Sequence, residues 1–193
     1  MIDQSPTVSL PTAYGIYNYT FFESDGNRAI LVSNLNREHT EIQLRIHNSC
    51  VFSEALGAID CDCNNQLNMF LQVIGSAPGA LLYVYDEGRG AGLMNKFKAI
   101  NIQQQEGLNT VQAYEKLGLK VDKDAYIFES AILKQVGLVA GLVLYTNNPR
   151  KKSALEANGI SLLRVEPIIK ISNDLVANYL EEKGDILNHD IEL

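Results

Sequence analysis

The chain of 193 residues is 46% hydrophobic and 20% charged, which suits one substantial core in a single domain spanning 1–193. Its net charge of -7 argues against nucleic-acid binding, though not against a local basic pocket. No stretch approaches the run of about 18 apolar residues that a membrane span requires, and three cysteines cannot form a disulfide framework. The opening "MIDQSPTVSLPTAYG" has no basic segment leading into an apolar run, so a cytoplasmic chain with reduced thiols is expected.

In chain order, "RAILVSN" and "EIQLRIHN" read as strands, the second alternating Ile42, Leu44 and Ile46 with Gln43, Arg45 and His47. "NQLNMFLQVIGSA" has helical spacing through Leu67, Phe70, Leu71 and Ile74. "GALLYVYDEG" is a predicted strand ending in glycines, and "LMNKFKAINIQQQEG" a helix stopped by Gly107. "NTVQAYEKLG" is a short helix capped by Asn109 or Thr110 and ended by Gly118. "ESAILKQVG" is helix, "LVLYTN" strand, "RKKSALEANG" helix and "ISLLRVEP" strand, the last three suggesting a parallel βαβ unit. "SNDLVANYLEEKGDIL" reads as an amphipathic helix, and the acidic end, about 185–193, as a loose tail. The expectation is an α/β fold, a mixed β-sheet with flanking helices.

The chemistry gathers at Cys50, Cys61 and Cys63. The C-x-C spacing strains a disulfide, and redox pairs are usually C-x-x-C. Buried cysteines behave as small hydrophobes, but the polar flanks of "DCDCNNQ" suit a core poorly. Reduced thiols gathered in a short segment suit zinc, and three ligands leave one tetrahedral position open for water, as in catalytic sites. His47 is a candidate fourth ligand, against the commoner structural role of a strand histidine. Two loops are candidate anion cradles. "DEGRGAGL" offers Gly88, Gly90 and Gly92 with Arg89, where the alternative is a simple tight turn. "TNNPRKK" offers a helix start with Lys151 or Lys152, where the alternative is a capped helix with solvated lysines. An open thiolate zinc site beside anion-binding loops suggests a zinc hydrolase acting on a nucleotide base. The zinc deaminase pattern, H-x-E followed by P-C-x-x-C, is missing.

From "LPTAYG" to "RVEPI" the chain resembles the GTP cyclohydrolase II family, zinc enzymes that open the imidazole ring of GTP in riboflavin synthesis. The likeness rests on Cys50 followed by "CDCNNQL", on "EGRGAGL" followed by "NK", on "NTVQA" and on "TNNPRK". The resemblance implies that Cys50, Cys61 and Cys63 hold zinc with water in the fourth position. It places Arg45, Gln66, Glu87, Gly88, Arg89, Thr110, Thr146 and Lys151 at the nucleotide, and Asp122 as the acid/base group. It also implies a homodimer. In this reading Glu87 is the candidate reader of guanine, whose Watson–Crick edge offers two N–H donors.

The departures fall on the catalytic set. The family's D-x-R segment, whose arginine acts at the α-phosphate, ends here in Asp124, with Lys123 beside it. Ile100 replaces a tyrosine, "HNSCVFSE" stands for "HSECLTGD", and Glu54 takes an aspartate's place. A carboxylate repels phosphate unless Mg2+ lies between them or the substrate carries fewer phosphates. The expected activity is zinc-dependent opening of a heterocyclic ring of a nucleotide, GTP by default, without diphosphate release. The alternatives are ring opening of another base, such as a pyrimidine nucleotide, and a catalytically silent nucleotide-binding protein.

Overall fold

The structure, a computed structural model, describes residues 1–35, 40–120, 123, 125–169 and 176–177, with Arg89 by its backbone alone. Asp122, Asp124, the Arg89 side chain, most of the predicted C-terminal helix and the tail lie outside the described residues.

The N-terminal strands β1 (Asp3–Gln4), β2 (Val8–Thr12), β3 (Gly15–Ser24) and β4 (Asn27–Asn34) pair antiparallel, β1 and β2 both against β3. Sequence pattern assigns no element before Arg28, yet the hairpin signal is there. Asp25 and Gly26 both take positive φ, 49° and 78°, the geometry a two-residue turn needs to match the strand twist. The sheet continues through β5 (Ile42–Asn48), β6 (Gly79–Val84), β7 (Leu142–Tyr145) and β8 (Leu162–Glu166). Its order is β1-β3-β4-β6-β5-β7-β8, with β2 also on β3. β4 runs antiparallel to β6, while β6, β5, β7 and β8 are mutually parallel, so the sheet is mixed as expected.

The helices are α1 (Val51–Glu54), α2 (Cys63–Ser76), α3 (Leu93–Glu106), α4 (Thr110–Lys116), α5 (Ile127–Gln135) and α6 (Pro149–Ala157). Leu44, Ile46, Leu82 and Leu142 on one sheet face pack with Ile132 and Leu133 of α5 and Leu155 of α6. On the other face Val32 and Leu81 pack with Phe70 and Ile74 of α2. β5 therefore lies between two layers. Its predicted alternation holds, but the polar side is not solvated: Gln43, Arg45 and His47 are 9%, 5% and 2% exposed. A buried polar row must find internal partners, and these partners build the site.

Local chemistry sets the helix ends. The Asn109 side chain accepts from the Gln112 N–H at 2.9 Å, and the Gln112 side chain accepts from the Asn109 N–H at 3.0 Å, a reciprocal cap. Asn148 caps α6, whose first residue is Pro149. The segments bearing Cys50, Glu87 and Thr146 follow the carboxyl ends of the parallel strands β5, β6 and β7. In open α/β sheets that edge is where ligands bind.

Candidate active site

Cys50, Cys61 and Cys63 converge, with their Sγ atoms all within 4.8 Å of one another and the Cys50–Cys61 pair at 3.8 Å. A tetrahedral centre with bonds of about 2.3 Å to sulfur has edges of about 3.8 Å, so the donor set fits a thiolate-bound metal. Lys96 Nζ lies 3.3 Å from Cys50 Sγ, which favours a thiolate there. Hydrogen bonds from Cys61 and Cys63, with the Lys96 charge behind them, draw the Cys50 thiol well below its ordinary value.

His47 is not a ligand in this arrangement. Its Nε2 meets Glu54 Oε1 at 2.7 Å, and its Nδ1 accepts from Arg45 Nε at 3.3 Å. Since arginine can only donate, Nδ1 carries no proton, and Nε2–H donates to the carboxylate. Burial holds the imidazole neutral, its pKa lowered to about 4.

From His47 a chain of buried contacts runs both ways. Tyr83 Oη donates to the other Glu54 oxygen at 2.6 Å, and its ring stacks on the imidazole. Arg45 donates Nη1–H to the Tyr145 carbonyl at 3.1 Å and Nη2–H to Gln66 Oε1. Gln66 donates to Asp62, which is fully buried and lies between Cys61 and Cys63 in the sequence. The chain Asp62–Gln66–Arg45–His47–Glu54–Tyr83 thus fastens both cysteine-bearing segments to β5 and β6. Burial lowers the Arg45 pKa to about 10, against the support of Asp62, Cys63 and Glu54.

Glu87 opens a single 3-10 turn, Glu87–Gly90. One carboxylate oxygen accepts from the Val51 N–H at 2.6 Å, at the start of α1, and the other from Lys96 Nζ at 2.9 Å. Glu87 therefore anchors the segment after Cys50. Gly88 has φ +59°, and a Cβ there would stand 3.2 Å from both Lys96 Cβ and Tyr114 Oη. That tyrosine donates to the Gly88 carbonyl at 3.1 Å and ties the turn to α4. Thr110, which begins α4, accepts from Gln103 Nε2 at 3.2 Å.

At the far side, Thr146 Oγ1 accepts from the Asn148 N–H at 3.1 Å, and Lys151 Nζ donates to the Ile46 carbonyl at 2.8 Å. Lys151 and Lys123 each stand 5.7 Å from the ring centroid of Tyr126, so the residue next to the altered D-x-R position does reach this edge. Lys123 Nζ meets Glu129 Oε1 at 2.8 Å and Asp86 Oδ2 at 3.3 Å. Ile100 is half-buried on α3.

Sequence reading did not single out Lys96, Asp62, Tyr83, Asp86 or Glu129. Lys96 stands in the quoted "NK" and Asp62 inside "CDC", so both lay within motifs already noticed. Nothing in the sequence marks Glu129, a lone acidic residue in an apolar helix.

Fold and donor set define an α/β protein with a three-thiol cluster able to hold a metal ion, just beyond the strand ends. A model of the family described as GTP cyclohydrolase II matches residues 3–167. GTP cyclohydrolase-2 of Picrophilus torridus is 37% identical over 192 residues, covering 98% of this chain and 99% of that one. The riboflavin biosynthesis proteins RibBA of Chlorobium phaeovibrioides and Bacillus subtilis are 34% and 35% identical, each over 98% of this chain. The chain spans about half the length of those two relatives, 47% and 48%. The chain belongs to the GTP cyclohydrolase II family, and so to the hydrolases.

Proposed function

We propose that the protein is a zinc-dependent hydrolase that opens a heterocyclic ring of a nucleotide, GTP by default, and leaves the phosphates on the product. The observation that carries this is the three-thiol cluster beyond the carboxyl end of β5, in a sheet whose strands β6 and β7 lead into a glycine turn and a lysine-bearing helix start. Bound to the thiolates, zinc supplies a Lewis acid that activates water for attack on an electrophilic ring carbon. The protein's part is to keep the thiolates in register through Asp62, Gln66 and Arg45 on one side and Glu87 with Lys96 on the other. Asp122 moves protons between the attacking water and the departing ring nitrogen. Lys151 and Thr146 receive the phosphate end, with Arg89 and Thr110 completing the nucleotide pocket. The protein works in the cytoplasm as a homodimer.

One observation favours a second reading, ring opening on another base such as a pyrimidine nucleotide. Both Glu87 oxygens already accept from protein donors, which weakens their claim on the two N–H groups of guanine.

Incubation with GTP, ATP and UTP, followed by formate assay and phosphorus NMR, tests the proposal. Formate from GTP without diphosphate is the expected result. Diphosphate appearing alongside formate defeats the retained-phosphate reading, and turnover of UTP alone selects the second. No turnover of any nucleotide leaves a silent binder.

A further inference from the structure

Among the ionisable groups outside the thiol cluster, one trio has no place in the ring chemistry. Glu129 of α5 is fully buried, and among the described residues its Oε2 has no hydrogen-bond partner while its Oε1 meets the Lys123 ammonium 2.8 Å away. The same ammonium reaches Asp86, the residue before the Glu87–Gly90 turn, at 3.3 Å. A lysine needed only to neutralise Glu129 has no reason to reach the glycine turn as well. Nor would it keep a side chain 24% exposed at the edge where Lys151 also sits. Lys123 and Lys151 both approach the buried Tyr126 ring, so Lys123 stands beside the lysine that the nucleotide reading places at the phosphates.

We propose that Lys123 is a phosphate-binding residue of this site, held ready by Glu129 and passed from Asp86 to a nucleotide phosphate when substrate enters. This rests on the nucleotide-hydrolase reading given above. The unequal burial of its two partners decides which one yields. Releasing Glu129 would strand a charge at 0% exposure, whereas Asp86, whose side chain is 19% exposed, can be rehydrated when it lets go. The longer contact is the one that breaks. Burial disfavours the Lys123 charge, but Glu129 and Asp86 outweigh it and raise the pKa, so the group stays an ammonium at neutral pH. An ammonium has no lone pair with which to attack phosphorus. Lys123 therefore holds a phosphate without cleaving it, unlike the attacking arginine that the resemblance places one residue further on.

The test is calorimetric binding of GTP and of guanosine to the purified full chain with its metal. Lys123→Met alone leaves Glu129 unpaired and can unfold the protein, so the decisive variant is Lys123→Met with Glu129→Gln, which removes both charges. It should bind GTP about tenfold or more weakly, the loss of one hydrogen bond to a charged group, with guanosine unaffected. Asp86→Asn removes the competing carboxylate and should tighten GTP several-fold. GTP affinity unchanged in the double variant, or an equal loss for guanosine, reduces Lys123 to a neutraliser of Glu129 and overturns the proposal. Weaker GTP binding by Asp86→Asn overturns the exchange. If the wild type binds neither compound, the nucleotide reading fails and takes this proposal with it. If the wild type binds GTP and the variants match it, only the role of Lys123 fails.

Discussion

Replacing Arg45 with methionine sets two opposing effects against each other. The substitution strips donors from three acceptors: the Tyr145 carbonyl, Gln66 Oε1 and His47 Nδ1. Hydrogen bonds to a charged group are worth about 1.5–3 kcal/mol each, so the three together contribute about 6 kcal/mol. Against this, burial of the guanidinium is costly. Its pKa falls from 12.5 to about 10. At about 1.4 kcal/mol per unit, methionine recovers about 3 kcal/mol. The net expectation is a loss of about 3 kcal/mol, within the 5–15 kcal/mol that folded domains typically have. Equilibrium urea unfolding measures it as a lower midpoint with unchanged slope. Arg45→Lys should cost a comparable amount, because a point charge cannot fork to three acceptors. A loss below about 1 kcal/mol for Arg45→Met, or a gain, would mean that desolvation outweighs the hydrogen bonds, as at some buried ion pairs, and would refute the latch.

Metal analysis should find about one zinc per chain, strongly reduced in Cys61→Ser; zinc-free wild type, or full retention by the variant, removes the three-thiol site. His47 carries a pH signature: its folded pKa is lowered to about 4 from 6.5. As pH falls through that interval the unfolded chain takes up a proton that the folded chain refuses. Stability is therefore complete above about 6.5 and should fall by up to about 3 kcal/mol toward pH 4. Unfolding of wild type and His47→Gln across this range should diverge in slope, and parallel curves contradict a buried neutral imidazole. Light scattering should give twice the chain mass, and a monomer at working concentration excludes the homodimer.

The parallel half of the sheet was readable because each strand and helix there carries its own periodicity and its own stop, such as Gly107 with φ +67° behind α3. The thiol cluster was readable because C-x-C in polar flanks is a poor core segment. Two kinds of feature escaped. The N-terminal strands have little hydrophobic contrast, with β2 mostly exposed, and only the Asp25–Gly26 turn announces them. The burial of the polar row of β5 was not legible because alternation records which side chains share a face, not what covers that face. Arg45 Nε and the Glu54 carboxylate, which occupy the two ring nitrogens, turned His47 from a candidate ligand into a link between them. Lys123 was noticed beside Asp124, but its partners Asp86 and Glu129 come from other segments and no local spacing records them.

The seam where β4 meets β6 divides the molecule into wings under different scrutiny. None of the site contacts described above draws on a side chain from β1 to β4, so among the described residues change in that wing bears on packing and not on the site. Across the seam, every segment following β5, β6 and β7 answers both to packing and to chemistry. A percentage of identity averages the two. Two relatives equally distant from this chain can therefore stand at very different functional distances, according to which side of the seam their differences occupy. Asp86, Lys123 and Glu129 all lie on the demanding side.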